Sequence, residues 1–215
     1  MILKKIKVAI DSPAASGAGT LAKKISQHYN LIYCDTGKIY RIIGKIYLKN
    51  KKKFSYKLVS KATKNLKLKK LQDKKLLSDE VAVAASIVAK DQKIRKIVCA
   101  FQKKIAYQPP KKYRGSVLDG RDITSVIVPD ADFKFYITAK QNVRAKRRYE
   151  ELRKLRKNIT FKKVLESLKK RDEADRIRKH NPLKKTTDSF LINTTNLTIK
   201  ESFLKIKKIM DKKLK

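Results

Sequence analysis

The sequence predicts an α/β domain organised around a parallel sheet. Three observations predict it. Short apolar runs alternate with segments of helical period, the first run enters its helix through a turn of small residues, and neither an internal repeat nor a Gly/Ser-rich linker divides the chain. A chain of 215 residues with 41% apolar residues is long enough to bury one substantial core.

The elements follow in order. Ile6 to Ile10 reads as a buried strand, and Asp11 to Gly19 as a small-residue turn. Leu21, Ile25 and Tyr29 recur at helical spacing. Leu31 to Cys34 is a second strand, which leads through Asp35-Thr36-Gly37 into a helix over Lys38 to Leu48. Lys49 to about Lys75 is Lys-rich with Leu at intervals and reads as solvated helix and connection. Val81 to Ile105 reads as one helical section whose apolar face includes Val83, Ile87, Ile94, Val98 and Phe101, and Pro109-Pro110 ends it. Further strands are expected at Ser116 to Leu118, Phe133 to Ile137 and Phe190 to Asn193. Thr138 with Gln141, and Thr198 with Glu201, have the spacing of a capping box before two further helices.

Composition narrows the function classes. The 57 Lys and Arg against 19 Asp and Glu give a formal charge of +38, which attracts any polyanion in a salt-sensitive way. The basic residues are spread from Lys4 to Lys215, and aromatics are only 7%, so no stacking platform for nucleic acid is suggested; any nucleic-acid binding is expected to be non-specific. Cys34 and Cys99 are far apart and outside any CxxC spacing, which fits a reducing cytoplasm and excludes a disulfide framework. His28 and His180 lack ligand-like spacing. The apolar run near Met1 is too brief for a signal segment, and no stretch approaches the ~18 apolar residues of a membrane span. A soluble, cytoplasmic monomer is the expectation.

The turn Ser12-Pro13-Ala14-Ala15-Ser16-Gly17-Ala18-Gly19-Thr20 stands where backbone N–H groups and a helix N-terminus can converge on a phosphate. It departs from the usual phosphate-loop pattern, with Ser12 at the first Gly and Ala18 at the Lys. By pattern alone it is equally a tight packing turn.

Four further segments bear on it. Asp35-Thr36-Gly37 with Tyr40-Arg41, Val81-Ala82 through Ala84-Ala85-Ser86 with Arg95, Asp119-Gly120-Arg121-Asp122, and Arg171-Asp172 through Asp175, Arg176 and Arg178 follow the loop in that order. Together the five resemble the motifs of the bacterial cytidylate kinases, and the likeness runs through essentially the whole chain. It implies a three-layer P-loop nucleoside-kinase fold with a central parallel five-stranded sheet, a helical nucleoside-monophosphate-binding region and an arginine-rich lid. The core would comprise residues about 1–48, 107–148 and 186–215, the monophosphate region about 49–106 and the lid about 149–185 of a single domain.

The activity implied is phosphorylation of CMP and dCMP by ATP, with Mg²⁺ carried by the ATP phosphates and little protein ligation. Such chemistry is mostly positioning and charge neutralisation, which suits guanidinium groups converging from separate elements. The resemblance assigns Arg41, Arg121, Arg171 and Arg178 to the phosphates as catalytic groups. It gives Ser86, Arg95 and Asp122 to the base, and Asp119 and Asp175 to the sugar or phosphate end. Asp35 and Thr36 fall in the monophosphate turn, and Arg144, Arg147 and Arg148 lie where they could reach ATP. Read singly, Asp122 is equally a helix cap, Ser86 a packed small residue, Thr36 a cap, and the three helix arginines surface charge.

Two departures matter. Ala18 removes the loop ammonium, so either turnover is slow or another cation substitutes; Lys23 and Lys24 lie one turn on, and the lid arginines are the favoured substitute. The segment from Asn65 to Val81 is shorter than in members with a β-sheet insertion, which implies looser base selectivity. The alternatives are a catalytically impaired nucleotide-binding relative and a basic nucleic-acid-binding protein.

Overall fold

A computed structural model describes residues 5–154 and 159–214. Five strands form one all-parallel sheet: β1 (Ile6–Asp11), β2 (Leu31–Asp35), β3 (Gly115–Gly120), β4 (Phe133–Thr138) and β5 (Phe190–Asn193), in the order β2-β3-β1-β4-β5. Every expected strand is present, each within two residues of its sequence-based bounds.

The helices are α1 (Ala18–Tyr29), α2 (Thr36–Lys49), α3 (Tyr56–Lys64), α4 (Asp79–Val88), α5 (Gln92–Tyr107), α6 (Gln141–Arg153), α7 (Phe161–Ile177) and α8 (Ile199–Leu214). They cover both faces of the sheet because β1 buries alternate residues to opposite sides. Val8 and Ile10 pack with Leu21, Ile25, Phe133, Phe135, Ile206 and Met210 beneath α1 and α8. Ala9 packs with Cys34, Ile39, Ile43, Val98, Leu118 and Ile123 beneath α2 and α5.

Strand register decides where a site can form. Asp11 aligns with Gly120, and Asp35 with Asp119, so the turns after β1, β2 and β3 leave the sheet at the same carboxyl edge. The central strand β1 pairs with β3 on one side and β4 on the other, which opens a crevice at this edge where ligands bind in such sheets. Side chains distant in sequence thereby become neighbours.

Two expectations are corrected. The section from Val81 to Ile105 is two helices, broken where Asp91 accepts from the Lys93 and Ile94 amides and starts α5. On α4 the buried residues are Val81, Ala84, Ala85 and Val88, while Val83 and Ile87 are 61% and 49% exposed. Small residues turn inward there because Gly44 of α2 approaches the α4 backbone closely. A capping box at Thr138 is also absent: Lys140 precedes α6 with no side-chain cap bond. Thr198 and Glu201 do exchange capping bonds at 2.8 and 3.2 Å.

Candidate active site

The turn after β1 is built to present bare amides. Ser12 N–H donates to the Gly120 carbonyl (3.2 Å), which ties the turn to β3. Ala15 (φ 59°) and Gly17 (φ 92°) both adopt left-handed backbone, so successive N–H groups curl into a concavity that accepts anions. Gly17 takes this conformation without penalty; Ala15 costs about 1–2 kcal/mol, a strain that other contacts must offset. They come from behind the loop. Arg144 donates to the Ala14 carbonyl (3.0 Å), while Arg147 (3.3 Å) and Thr194 (2.9 Å) donate to the Ser16 carbonyl. The Ala14 and Ser16 carbonyls are thus anchored, and the Ser16 hydroxyl accepts from Ala18 N–H (3.4 Å).

Ala18 opens α1 and is buried, so no cation projects from the usual position. Thr20 lies on the exposed side of the first turn, and Lys23 and Lys24 are exposed one turn further on.

Asp11 closes β1 in a different way. Its buried carboxylate accepts from Ile123 N–H (2.8 Å), Thr124 N–H (2.9 Å) and the Thr124 hydroxyl (2.5 Å). These bonds pin the π-helical turn Ile123–Ile127 that follows Asp122. Burial outweighs them and lifts the Asp11 pKa to about 6.

The turn after β2 supplies a cap and a strut. Asp35 caps α2 by accepting from Lys38 N–H (3.1 Å), and Thr36 donates its hydroxyl to the Asp119 carbonyl (2.7 Å). The cap is therefore Asp35 rather than Thr36, whose hydroxyl ties the two turns together. Asp119 stands beside Asp35 and is pushed well above the usual carboxylate range by burial and then by the Asp35 charge. A Cβ placed on Gly19 would come within 3.5 Å of the Asp119 carboxylate, so this acid flanks the first turn of α1.

The lid reaches across from the other side. Arg121 Nε donates to Asp175 of α7 (2.7 Å), and Arg178 lies 3.9 Å from Asp175 and 3.8 Å from Asp122. Asp122 in turn pairs with Arg95 of α5, both about nine-tenths buried, with the Arg95 guanidinium 5.7 Å from the Tyr40 ring. Arg41 donates to the Leu76 carbonyl (2.7 Å). Burial alone would raise Asp175, but the Arg121 and Arg171 charges outweigh it and hold it low.

Arg171 is the clearest sign of convergence. Lost hydration on its cleft side lowers its pKa to about 10, and the Arg121, Arg41 and Arg148 charges push the same way. As a residue Arg171 remains exposed, so water screens much of that repulsion. Asp175 opposes the three arginine charges, so Arg171 sits among charges contributed by several elements.

Not every expected contact is assembled. Ser86 is exposed and donates to the Ala82 carbonyl of its own helix (3.1 Å); among the described residues it meets neither Arg95 nor Asp122. Arg144 and Arg147 hold loop carbonyls, Arg144 also lines the cavity beside Pro13, and Arg148 pairs with Glu151 on its own helix (2.7 Å). Asp122 makes no capping bond. Tyr33 joins the site unannounced by the sequence, since an aromatic residue on a strand reads as core, and Tyr40 of the Tyr40-Arg41 motif joins it beneath Arg95. Tyr33 lies against Asp119 near Gly19.

A cavity of about 440 Å³ opens beside the Arg95–Asp122 pair, lined also by Tyr40, Cys99, Gln102 and Asn181. A second, of about 860 Å³, lies between Pro13 of the loop, Arg144 of α6 and Asp172 of α7. Among the described residues, the buried side-chain atoms without a hydrogen-bond partner are Arg95 Nε, Asp119 Oδ1, Asp172 Oδ1 and Arg178 Nη2. Native interiors rarely leave such atoms unpaired, and all four belong to this cleft and its lid. The cleft is made for a polar ligand.

The sequence model of the cytidylate kinases matches residues 8–212. The chain belongs to the cytidylate kinase family. A cytidylate kinase of Bartonella bacilliformis is 43% identical over 197 residues, covering 91% of this chain and 90% of that protein. One from Brucella suis biovar 1 is 39% identical, covering 95% and 92%. The fold also matches an uncharacterised protein from Eubacterium ventriosum with a TM-score of 0.57 at 19% identity, over 96% of this chain and 99% of that one. As a cytidylate kinase family member the chain is a phosphotransferase. Among the described residues, no helix is long and apolar enough to cross a membrane.

Proposed function

We propose that this protein transfers the γ-phosphoryl group of ATP to CMP and dCMP, giving ADP with CDP or dCDP. The observation that carries the reading is the set of Arg121 and Arg178 held by Asp175 and Asp122, with Arg171 acting electrostatically on both Arg121 and Asp175, across the cleft from the left-handed loop after β1. Two polyphosphates meeting end to end need such a set, because their charge must be neutralised before a CMP phosphate oxygen can attack the γ-phosphorus. The attack forms one P–O bond as the bond to ADP breaks, so the protein's work is alignment and electrostatics.

The roles follow from placement. The amides of the β1–α1 turn receive the β- and γ-phosphates, and Arg121, Arg171 and Arg178 close from the lid side. Region 49–106 receives the monophosphate, with Arg41 on its phosphate and Arg95 and Asp122 on cytosine. A carboxylate accepts well from the N4 amine, and the 440 Å³ cavity beside the pair suits a single pyrimidine ring. In the nucleotide-free protein, Asp175 and Asp122 hold the arginines in place of phosphates. The lid arginines thereby replace the ammonium that Ala18 lacks.

Mg²⁺ fits this site as a passenger of ATP. Among the described residues no group of three or more His, Cys, Asp or Glu could hold it. The unpartnered Asp119 oxygen beside Asp35 would become a hard oxygen donor only on losing its proton, which a cation brought in with ATP would favour. When bound, the ion would supply further neutralisation of the phosphate oxygens.

We place the protein in the cytoplasm as a monomer, binding nucleic acid only through its general charge. An ADP-release assay with ATP and a panel of monophosphates tests the function. CMP and dCMP should turn over, UMP more weakly, and AMP and GMP not at all. Turnover with a purine monophosphate and none with CMP would overturn it.

A further inference from the structure

We propose that Asp172, through Arg144, is a positioning residue that couples closure of the lid to the shape of the phosphate loop. The inference rests on the ATP-dependent function proposed above, and the closing experiment separates the two.

Arg144 lies at the end of the first turn of α6 and is almost wholly buried. Its fork has three fixed partners. Nε donates to the Ala139 carbonyl (2.9 Å), which sets the plane of the guanidinium. Nη1 donates to the Ala14 carbonyl of the loop (3.0 Å) and also meets Asp172 Oδ2 of α7 (2.6 Å). One nitrogen therefore touches both the loop and the lid. Ala14 immediately precedes Ala15, the non-glycine residue held in left-handed backbone, so the Ala14 anchor bears directly on how the loop amides point.

The lid helix needs such a tie. Its buried apolar residues are Val164 and Leu168, both in the first half, and the Tyr149–Phe161 ring contact holds its start. Beyond Leu168 no apolar side chain of α7 is buried, and an 860 Å³ cavity separates this half from the loop. Ionic contacts span the gap: Asp172 to Arg144, Asp175 to Arg121, and Arg178 toward Asp122. Arg121 and Arg178 must turn to phosphate when nucleotides arrive. Arg144 faces backward onto a carbonyl and has no such duty, so its bond to Asp172 is the one that persists through turnover. The second Asp172 oxygen is buried and unpartnered, so this carboxylate has capacity to keep its bond while the lid shifts.

The geometry matters because Arg144 needs both a planar fork and a fixed charge partner. A lysine cannot donate to Ala139 and Ala14 from one rigid plane while pairing with Asp172. Asp172→Asn keeps size and polarity but removes the charge that draws the fork toward the lid.

The test compares wild type, Asp172→Asn, Asp172→Glu and Arg144→Lys. Two readouts are used: amide hydrogen exchange of the nucleotide-free proteins over 12–20 and 169–178, and the KM and kcat for ATP and for CMP. In Asp172→Asn both segments should exchange faster together, by about tenfold, with the far strands unchanged. KM for ATP should rise about tenfold while kcat and KM for CMP move less than threefold. Asp172→Glu should recover most of both effects, and Arg144→Lys should not. Exchange that changes in the lid alone, or KM values for ATP and CMP that rise equally, would overturn the coupling. Loss of all activity in wild type would instead refute the proposed function and leave the exchange result to decide the latch.

Discussion

Replacing Asp122 by Asn should destabilise the protein and abolish its response to cytidine nucleotides, and the size of the first effect can be worked from the structure. Arg95 and Asp122 are each 7% exposed. Arg95 keeps one weak bond, to the Ala89 carbonyl at 3.3 Å, and its Nε already lacks a partner. Arg178 stands 3.8 Å from the same carboxylate but keeps Asp175 at 3.9 Å, so removing one negative charge strands chiefly Arg95. Breaking a buried pair from one side costs about 3–5 kcal/mol, and partial opening toward the cavity puts this case at the lower end, about 3 kcal/mol. For a chain of this size that corresponds to a fall in Tm of about 6–12 °C. Thermal unfolding with and without CMP measures both effects. Asp122→Leu with Arg95→Met should regain most of the lost stability, because an apolar pair of similar volume needs no charge compensation. The double variant should still show no Tm shift with CMP. A single Asn variant within about 2 °C of wild type, well short of the expected fall, or a double variant that CMP still stabilises, would refute the reasoning.

Other perturbations separate the remaining parts. Gly44→Ala would place a methyl 2.6 Å from the Ala85 amide nitrogen, forcing α2 and α4 apart; a loss of about 1–3 kcal/mol is expected, read as a Tm fall of several degrees. Ala18→Lys should leave kcat within threefold of wild type if the lid arginines already neutralise the phosphates; a gain of about 10²–10³ would show an unfilled place. Asp119 binds its proton more tightly in the fold than in the unfolded chain, so the stability it contributes is complete below the unfolded value near 3.8 and is lost as pH rises through the raised folded value. The Tm of nucleotide-free protein should therefore fall between about pH 4 and 8 and level off above, and Asp119→Asn should flatten that fall.

Much of the architecture was legible because its signals are local. Each strand is an apolar run closed by a polar turn, and Leu21, Ile25 and Tyr29 lie on one buried face of α1 as their spacing requires. The α4–α5 section misled because apolar character does not reveal facing. Val83 and Ile87 outrank Ala84 and Ala85 in hydrophobicity, yet Gly44 admits only small residues at the contact, and the larger ones turn outward. The Thr138 expectation failed for a related reason, since β4 continues through Thr138 and its carbonyl accepts from Thr194 N–H (2.7 Å).

The site divides in the same way. The convergence of Arg121, Asp175, Arg178 and Asp122 rests on motifs whose order in the chain could be read. That Arg144 and Arg147 serve loop carbonyls could not be read, because one surface of α6 carries several arginines and sequence spacing does not say which points inward. Tyr33 carries no signal apart from its neighbours in space.

A single molecule joining adenosine and cytidine through five phosphates tests the central claim most directly, because it spans both nucleotide places at once. Calorimetry should find one site per chain, with affinity at least about 10²-fold tighter than for ATP or CMP alone, and Arg121→Met should remove most of that gain. Binding no tighter than that of ATP would mean that the arginines do not hold two nucleotides end to end.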